Sequence, residues 1–305
     1  MKLRTIFTLV VVAIALGLVS FWVGQQSYGW LPPQASAESE LVDNLFSFLV
    51  TLGSFIFLGV AVAVLYTVLV HRVGRYDMSD GPPIEGNVTL EVVWTVIPVL
   101  LVVWIAAYSY QTYERMAVHG PMELVHLHNP MGMEPAYAAT LEDGEVVEPI
   151  EVHSRQWAWE FRYPEQNVTS AELHLPVDQR VRLALQSEDV IHGFYIPAFR
   201  LKQDIIPGKT IDFEFTPIRE GTYRLRDSQY SGTYFAAMQT DVVVQSPAEY
   251  QQWLAQAASQ PPQTSANRAD YEYKRAAKKR INAGWKSVPP APAPVVNYPA
   301  QDGRA

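Results

Sequence analysis

The most constraining feature of this sequence is an apolar segment of 25 residues, 46–70, that contains no Asp, Glu, Lys or Arg. As an α-helix it would be about 37 Å long, whereas the hydrocarbon core of a bilayer is about 30 Å thick. A second uncharged segment of 22 residues, 92–113, is interrupted only by Pro98, and neighbouring helices tolerate a proline inside a membrane span. Two such segments, separated by a short polar loop, predict a transmembrane helical hairpin over residues 38–115.

The N-terminal residues 1–37 allow two interpretations. Lys2 and Arg4 precede an apolar segment at 6–23, and the Ala-Ser-Ala tripeptide at 35–37 resembles a cleavage site, which together are typical of a secretory signal peptide. The alternative is an additional transmembrane helix, because 37 residues is long for a signal peptide. Both interpretations stay open at this point.

Basic residues indicate how the hairpin is oriented. Residues 24–45 contain no Lys or Arg, whereas the loop after the segment 46–70 carries Arg72 and Arg75. The positive-inside rule therefore places residues 71–91 in the cytoplasm. The chain beyond residue 113 is then expected on the exterior side of the membrane.

The exterior part, 116–250, has the pattern of a small antiparallel β-sandwich. Apolar residues alternate with polar ones, and Pro207-Gly208 and Glu220-Gly221 are turn signals between such runs. The alternating residues that best define two strands are Val181, Leu183 and Leu185, and Ile211, Phe213 and Phe215. Their spacing predicts strands with one buried face.

Charge and composition exclude several kinds of site and partner. Residues 116–260 carry 20 Asp or Glu against 10 Lys or Arg, and such an acidic domain repels nucleic acid. The absence of cysteine excludes disulfides, thiolate metal sites and cysteine nucleophiles from the sequence given. Residues 251–305 include a basic stretch, 274–280, and a Pro-rich stretch, 289–294, and we predict a disordered tail there.

Four short motifs occur in the same order as in a known family. The chain resembles subunit II of the haem-copper terminal oxidases, also called the cytochrome c oxidase subunit 2 family, over roughly residues 40–245. The motifs are Glu91–Pro98 (EVVWTVIP), Gln156–Phe161 (QWAWEF), Asp189–His192 (DVIH) and Lys202–Gly208 (KQDIIPG). The resemblance implies that the exterior sandwich is cupredoxin-like.

The resemblance also implies where a binuclear copper centre, called CuA, would lie. Its ligands come from an early His and from a late segment of pattern Cys-x-Glu-x-Cys-x3-His-x2-Met. His192 and Met238 match that pattern. The other four positions do not match, because they are Asp227, Gln229, Ser231 and Phe235. Since a copper pair requires soft thiolate ligands, we expect no metal here; a mononuclear site built with Asp227 is the alternative.

Loss of these ligands is, in this family, the mark of quinol oxidases and of cyanobacterial alternative respiratory terminal oxidases. The sequence 80–87 (DGPPIEGN) resembles the cyanobacterial subunit II. The resemblance therefore implies a quinol as electron donor, and a plasma or thylakoid membrane with the sandwich on the periplasmic or lumenal side. It also implies subunits I and III as partners alongside membrane lipid, no cofactor in this chain, and haem and the oxygen-reducing copper (CuB) in subunit I.

Two further residues occupy positions with a function in the family. Glu91 matches the carboxylate that admits protons to subunit I, although an acidic residue is also favoured in any first helical turn by the helix dipole. Trp157 matches the residue through which electrons enter CuA-bearing enzymes. Without copper behind it, we expect Trp157 to have a structural role.

Three hypotheses on function follow from these observations. The favoured one is a copper-free subunit II that supports quinol oxidation, oxygen reduction and proton uptake. The second is a subunit II whose complex accepts electrons from a soluble donor, attracted by the acidic exterior domain. The third is a non-enzymatic, membrane-anchored cupredoxin-like module for assembly or metal handling.

Overall fold

The computed structural model describes residues 3–72, 74, 76, 86–116, 147–278 and 287–300. The chain forms two compact units, one of residues 1–31 and 42–112 and the other of residues 32–41 and 113–305. Most of the motif at 80–87, Arg75 and residues 117–146 of the predicted sandwich lie outside the described residues.

The described part of the first unit consists of long apolar helices. Helix α1 spans Leu3–Gln26, α2 spans Ala37–Val70 and α3 spans Val88–Arg115. Each of them is long and apolar enough to cross a membrane. Pro98 lies inside α3 without ending it, as the sequence predicted. The predicted hairpin is therefore accompanied by a further helix, and whether residues 1–37 are retained stays a prediction.

Close contacts join these helices. The Ser47 hydroxyl donates a hydrogen bond to the Gly24 carbonyl at 2.9 Å, and a Cβ atom at Gly24 would lie 3.0 Å from the Ser47 carbonyl oxygen. Glycine therefore allows α1 and α2 to approach at this point. The Phe48 ring packs edge-on against Trp104 and Tyr108 of α3, with ring centroids 5.0 and 5.1 Å apart.

The second unit is a sandwich of two five-stranded sheets. Their strand orders are β3-β2-β1-β5-β8 and β4-β10-β9-β6-β7. The strands are β1 Glu148–Arg155, β2 Ala158–Tyr163, β3 Val168–Ser170, β4 Leu173–Pro176, β5 Val181–Ser187, β6 His192–Ile196, β7 Leu201–Ile205, β8 Ile211–Phe215, β9 Gly221–Asp227 and β10 Gln239–Gln245.

The core lies between the two sheets and confirms the predicted alternation. Strands β5 and β8 pair so that Val181 faces Phe215 and Leu183 faces Phe213, and each of these side chains is at most 1% exposed. The expectation of a purely antiparallel sandwich is wrong, because β1 pairs with β5 and β4 with β10 in parallel. Each of these parallel pairs is separated in sequence by other strands, and these supply the long connection that a parallel pairing needs.

Residues after the last sandwich strand are ordered where the structure describes them, which corrects the prediction of a disordered tail over 251–305. Helix α4 spans Pro247–Ala258 and begins with a capping box between Ser246 and Glu249. It buries Tyr250, Trp253, Leu254 and Ala257 in the sandwich core, a spacing of three, one and three residues that places them on one helical face. The predicted domain limit at residue 250 therefore falls inside a helix that belongs to the core.

The chain continues through β11 (Gln263–Thr264), α5 (Arg268–Lys278) and β12 (Val295–Val296). Strands β11 and β12 pair antiparallel. The Pro-rich stretch at 289–294 leads directly into β12. Proline fixes an extended backbone rather than preventing order, so composition alone did not indicate that this stretch returns to the sandwich.

Candidate functional site

Two neighbouring strands bring His192 and Asp227 together. His192 opens β6 and Asp227 closes β9, and these strands pair antiparallel with Phe194 opposite Asp227. The Nδ1 atom of His192 lies 2.8 Å from Oδ2 of Asp227, and its Nε2 atom lies 2.9 Å from Oδ1 of Asp189. Both ring nitrogens are therefore directed at carboxylate oxygens.

Asp227 is the centre of this cluster. Its Oδ2 atom accepts a hydrogen bond from the Ser231 hydroxyl at 2.7 Å. Its Oδ1 atom accepts from the backbone N–H groups of Gly193 at 2.7 Å and Gln229 at 3.0 Å. Because Asp227 is only 5% exposed and His192 is fully buried, the carboxylate is held by protein groups rather than by water.

The electrostatics of the cluster favour a charged imidazole. Burial alone would lower the pKa of His192, but the hydrogen bonds and negative charges of Asp189 and Asp227 raise it above its ordinary value. For Asp189, burial alone would raise the pKa of the carboxyl group. The hydrogen bond with His192 and the backbone N–H groups of Gln156 and Val190 nevertheless lower it. The cluster thus combines a buried imidazole of raised pKa with two neighbouring carboxyl groups.

The remaining predicted positions lie on the same late segment as Asp227. Met238 is 1% exposed and belongs to the hydrophobic core, and its carbonyl oxygen accepts from the Asp227 backbone N–H at 3.0 Å. Phe235 lies in a short 3-10 turn and packs edge-on against Tyr230 at 5.3 Å. Gln229 contributes its backbone N–H to Asp227 at 3.0 Å.

Trp157 lies between β1 and β2, beside the late segment. Its indole Nε1 donates to the Ser231 carbonyl at 3.1 Å, and its ring packs edge-on against Tyr234 at 5.2 Å. A Cβ atom at Gly232, whose φ is +116°, would lie 2.7 Å from the Trp157 ring. Trp157 is 2% exposed, so it is packed inside the domain.

Glu91 lies in the other unit, in the first turn of α3. Asn87 caps this helix, because its side-chain oxygen accepts the Leu90 backbone N–H at 3.2 Å and its carbonyl accepts that of Glu91 at 2.9 Å. The Glu91 side chain is exposed. Its carboxyl group is therefore accessible at the predicted cytoplasmic end of the helix.

Two models of protein families match this chain. They are described as "Cytochrome C oxidase subunit II, transmembrane domain", over residues 20–112, and "Cytochrome C oxidase subunit II, periplasmic domain", over residues 166–246. The cytochrome c oxidase subunit 2 of Synechocystis sp. is 34% identical over 289 residues, which cover 87% of each chain. The chain belongs to the cytochrome c oxidase subunit II family.

Further relatives include both a cytochrome c oxidase subunit and a quinol oxidase subunit. The cytochrome c oxidase subunit 2 of Thermostichus vulcanus is 36% identical over 273 residues, covering 80% of this chain and 83% of the relative. The quinol oxidase subunit 2 of Bacillus spizizenii is 28% identical over 245 residues, covering 78% of this chain and 68% of the relative.

The comparisons confirm the family, the fold class and the membrane localisation that the sequence predicted. The chain is a subunit of a terminal oxidase complex, with membrane-spanning N-terminal helices and a C-terminal periplasmic domain. Its cupredoxin-like sandwich contains the buried cluster around Asp227.

This cluster does not fit the binuclear copper ligand set that the family resemblance implies. Asp227 and Ser231, which occupy the positions where the resemblance places the two cysteines, hydrogen-bond to each other. Phe235 has no lone pair at the second imidazole position, and both nitrogens of His192 already face carboxylates. Within the described residues, no group of three or more His, Cys, Asp or Glu is arranged to hold a metal ion.

The structure also shows groups that the sequence analysis gave no role. Asp189 was part of a recognised motif, but its position three residues before His192 was the only sign that its carboxylate would reach the imidazole. Tyr234 packs on Trp157. Nothing in the sequence indicated that contact, because it depends on the late segment folding back over the β1–β2 connection.

Removing the Asp227 carboxylate should strongly destabilise the sandwich. Asp227→Ala leaves the buried His192 and Gly193 groups without their acceptor, and breaking a buried charged pair costs about 3–5 kcal/mol. The matched control is Asp212→Ala, whose salt bridge to Arg182 is largely exposed and should contribute at most about 1 kcal/mol. Urea unfolding of the full chain in detergent, followed by tryptophan fluorescence, measures both. Equal losses in the two variants would contradict the structural role of the cluster.

Proposed function

We propose that this chain is subunit II of a terminal oxidase that oxidises a quinol, and that its periplasmic sandwich carries no copper and takes no part in electron transfer. The observation that carries the proposal is the hydrogen-bonded cluster of His192, Asp227 and Ser231 at the positions of copper ligands. Imidazole, carboxylate and hydroxyl groups that saturate one another supply no soft ligand for Cu(I).

The absence of a redox centre in the sandwich determines where the donor must enter. Tryptophan and tyrosine side chains are poor one-electron carriers at the potentials of respiratory donors, so Trp157 and Tyr234 do not replace a metal. A lipid-soluble quinol avoids this difficulty because it reaches the membrane-embedded partner directly. The similarity to a quinol oxidase subunit 2 supports this donor.

The chain's own tasks in such a complex are support and proton uptake. We propose that subunit I, with its haems and CuB, packs beside the membrane helices, and that subunit III completes the complex. The exposed apolar side chains of α3, including Trp94, Leu100 and Trp104, offer a surface to such partners and to lipid. Glu91 would accept protons from the cytoplasm and pass them toward subunit I.

A second candidate is a complex that accepts electrons from a soluble protein. Two relatives named cytochrome c oxidase subunit 2 are 34% and 36% identical, more than the 28% of the quinol oxidase relative. The 20 acidic against 10 basic residues over 116–260 would attract a basic donor. Family membership supports both candidates over a non-enzymatic metal-handling module.

A donor assay distinguishes the two candidates. The purified complex should reduce oxygen with a quinol and show no turnover with reduced cytochrome c, and the separated subunit should contain no stoichiometric copper. Turnover with cytochrome c that falls steeply as salt rises, with an inert quinol, would establish the second candidate. A mixed-valence copper signal from this chain would refute the proposed absence of copper.

A further inference from the structure

The described residues after α4 form a strap along one edge of the sandwich. This C-terminal strap comprises residues 259–278 and 287–300. Asn297 Oδ1 accepts from both the backbone N–H and the hydroxyl of Thr169 at 3.0 Å. Tyr298 donates its backbone N–H to the Thr169 carbonyl and accepts from the Ala171 backbone N–H, each at 3.0 Å. The strap thereby pairs with β3, the edge strand of the first sheet, and covers its open side.

The same strap reaches the region of Trp157. The Ala291 backbone N–H donates to the Gln156 carbonyl at 2.6 Å. On α5, the Tyr273 ring packs edge-on against Tyr234 at 6.2 Å, and Tyr234 in turn contacts Trp157. The strap therefore contacts both the residue that precedes Trp157 and the tyrosine ring that packs against Trp157.

A small cleft marks the boundary between strap and sandwich. It has a volume of about 30 Å³, which is room for water but not for a larger molecule. Its strap side includes Asn267, Arg268, Pro294 and Ala300, and its sandwich side includes Trp157, Trp159, Ala171 and Met238. Because Trp157 and Trp159 are only 2% and 4% exposed, the strap and the sandwich together close this aromatic surface.

Charge and position indicate what the strap excludes. The described residues of the strap carry four basic residues against two acidic ones, whereas residues 116–260 carry 10 against 20. The strap thus adds a net positive charge beside an acidic domain. Tryptophan and tyrosine side chains are also the usual anchors of protein interfaces. The family model of the periplasmic domain ends at residue 246, before the strap begins.

We propose that the C-terminal strap is an intramolecular occupant of the Trp157 face, and that it prevents a basic soluble redox protein from docking there. The proposal rests on the function proposed above, because a quinol-oxidising complex has no need of this docking face. The strap excludes protein donors because it occupies the surface of the sandwich on which they would dock.

Thiol labelling can detect the strap, because the sequence contains no cysteine. Ala171 is 6% exposed and packs with Val296 and Ala300 of the strap, so a cysteine introduced by Ala171→Cys should react slowly with a maleimide in the intact complex. Two changes are designed to release the strap. One is the double substitution Asn297→Ala with Tyr298→Ala, which removes the Asn297 acceptor and the Tyr298 ring that packs against His174 and Trp253; the other is a chain that ends at Gln260. Each should accelerate labelling at position 171 at least about tenfold, since labelling then no longer requires a rare local opening.

Ala198→Cys is the matched control. Ala198 is 7% exposed and lies in the sandwich core, where its carbonyl accepts the Ala35 backbone N–H at 3.1 Å. Its labelling should stay slow in every variant. If position 198 becomes reactive in the shortened chain, that chain has unfolded. The labelling of position 171 in the double variant then tests the proposal. Unchanged protection of position 171 in the folded double variant overturns the proposal.

Binding of cytochrome c, a basic soluble redox protein, provides the second measurement. The intact complex should bind it at least about tenfold more weakly at low salt than the complex with the shortened chain, and the gain should disappear at high salt because exposed charges are then screened. Equal binding by the two complexes overturns the proposal. Quinol turnover, measured on the same preparations, tests the proposed function separately, since its absence leaves the labelling result unaffected.

Discussion

Introducing the copper ligand pattern of the family is expected to let the sandwich bind two copper ions. The variant combines Asp227→Cys, Gln229→Glu, Ser231→Cys and Phe235→His. The structure supports it because the side chains of Asp227 and Ser231 already converge to 2.7 Å, and His192 lies 2.8 Å from Asp227. Thiolates at 227 and 231 would therefore lie side by side and next to an imidazole, with the soft character that Cu(I) requires.

Metal analysis and near-infrared absorption of the purified chain measure this gain. The unmodified chain, treated with the same copper solution, should show neither stoichiometric copper nor the absorption of a mixed-valence pair. The matched control carries Ser228→Cys instead of Asp227→Cys, so that Asp227 is retained. The other three substitutions are the same as in the fourfold variant. If the fourfold variant folds but binds no more copper than this control, then these positions do not correspond to the ligands of the family.

The fold could be predicted where one local pattern decides it. The uncharged segments 46–70 and 92–113 are too long and too apolar for ordinary soluble helices, and both lie inside helices of the structure. The alternation at Val181, Leu183 and Leu185 fixes which face of β5 is buried. The parallel pairings could not be derived this way, because alternation defines a strand's face and not its neighbour.

The candidate site was only partly predictable. The resemblance grouped His192, Asp227 and Ser231, and the structure does place them in contact. That Asp189 completes the cluster depends on the turn before β6, which brings its carboxylate to the second imidazole nitrogen. The sequence did not predict the strap for a related reason. The hydrogen-bond partner of Asn297 is Thr169, which lies 128 residues earlier in the chain.

Loss of the Glu91 carboxylate is expected to slow oxygen reduction by the complex at least about tenfold, equivalent to about 1.4 kcal/mol in activation free energy. Glu91 is exposed in the first turn of α3, at the end of the helix that is predicted to face the cytoplasm. Glu91→Ala and the isosteric Glu91→Gln should be similarly impaired, because both remove the titratable group. Glu91→Asp should retain most of the activity.

A purely structural role of Glu91 leads to a different expected result. If Glu91 served only to complement the helix dipole, its removal would cost about 0.3–1 kcal/mol of stability and leave turnover unchanged. Glu114→Ala, near the other end of the same helix, provides the control for a charge lost without a proton role. Oxygen consumption and proton uptake, measured on reconstituted complexes with a quinol as donor, should separate these variants. Equal rates for Glu91→Gln and Glu114→Ala would remove the proton role, because only position 91 lies where cytoplasmic protons are predicted to enter.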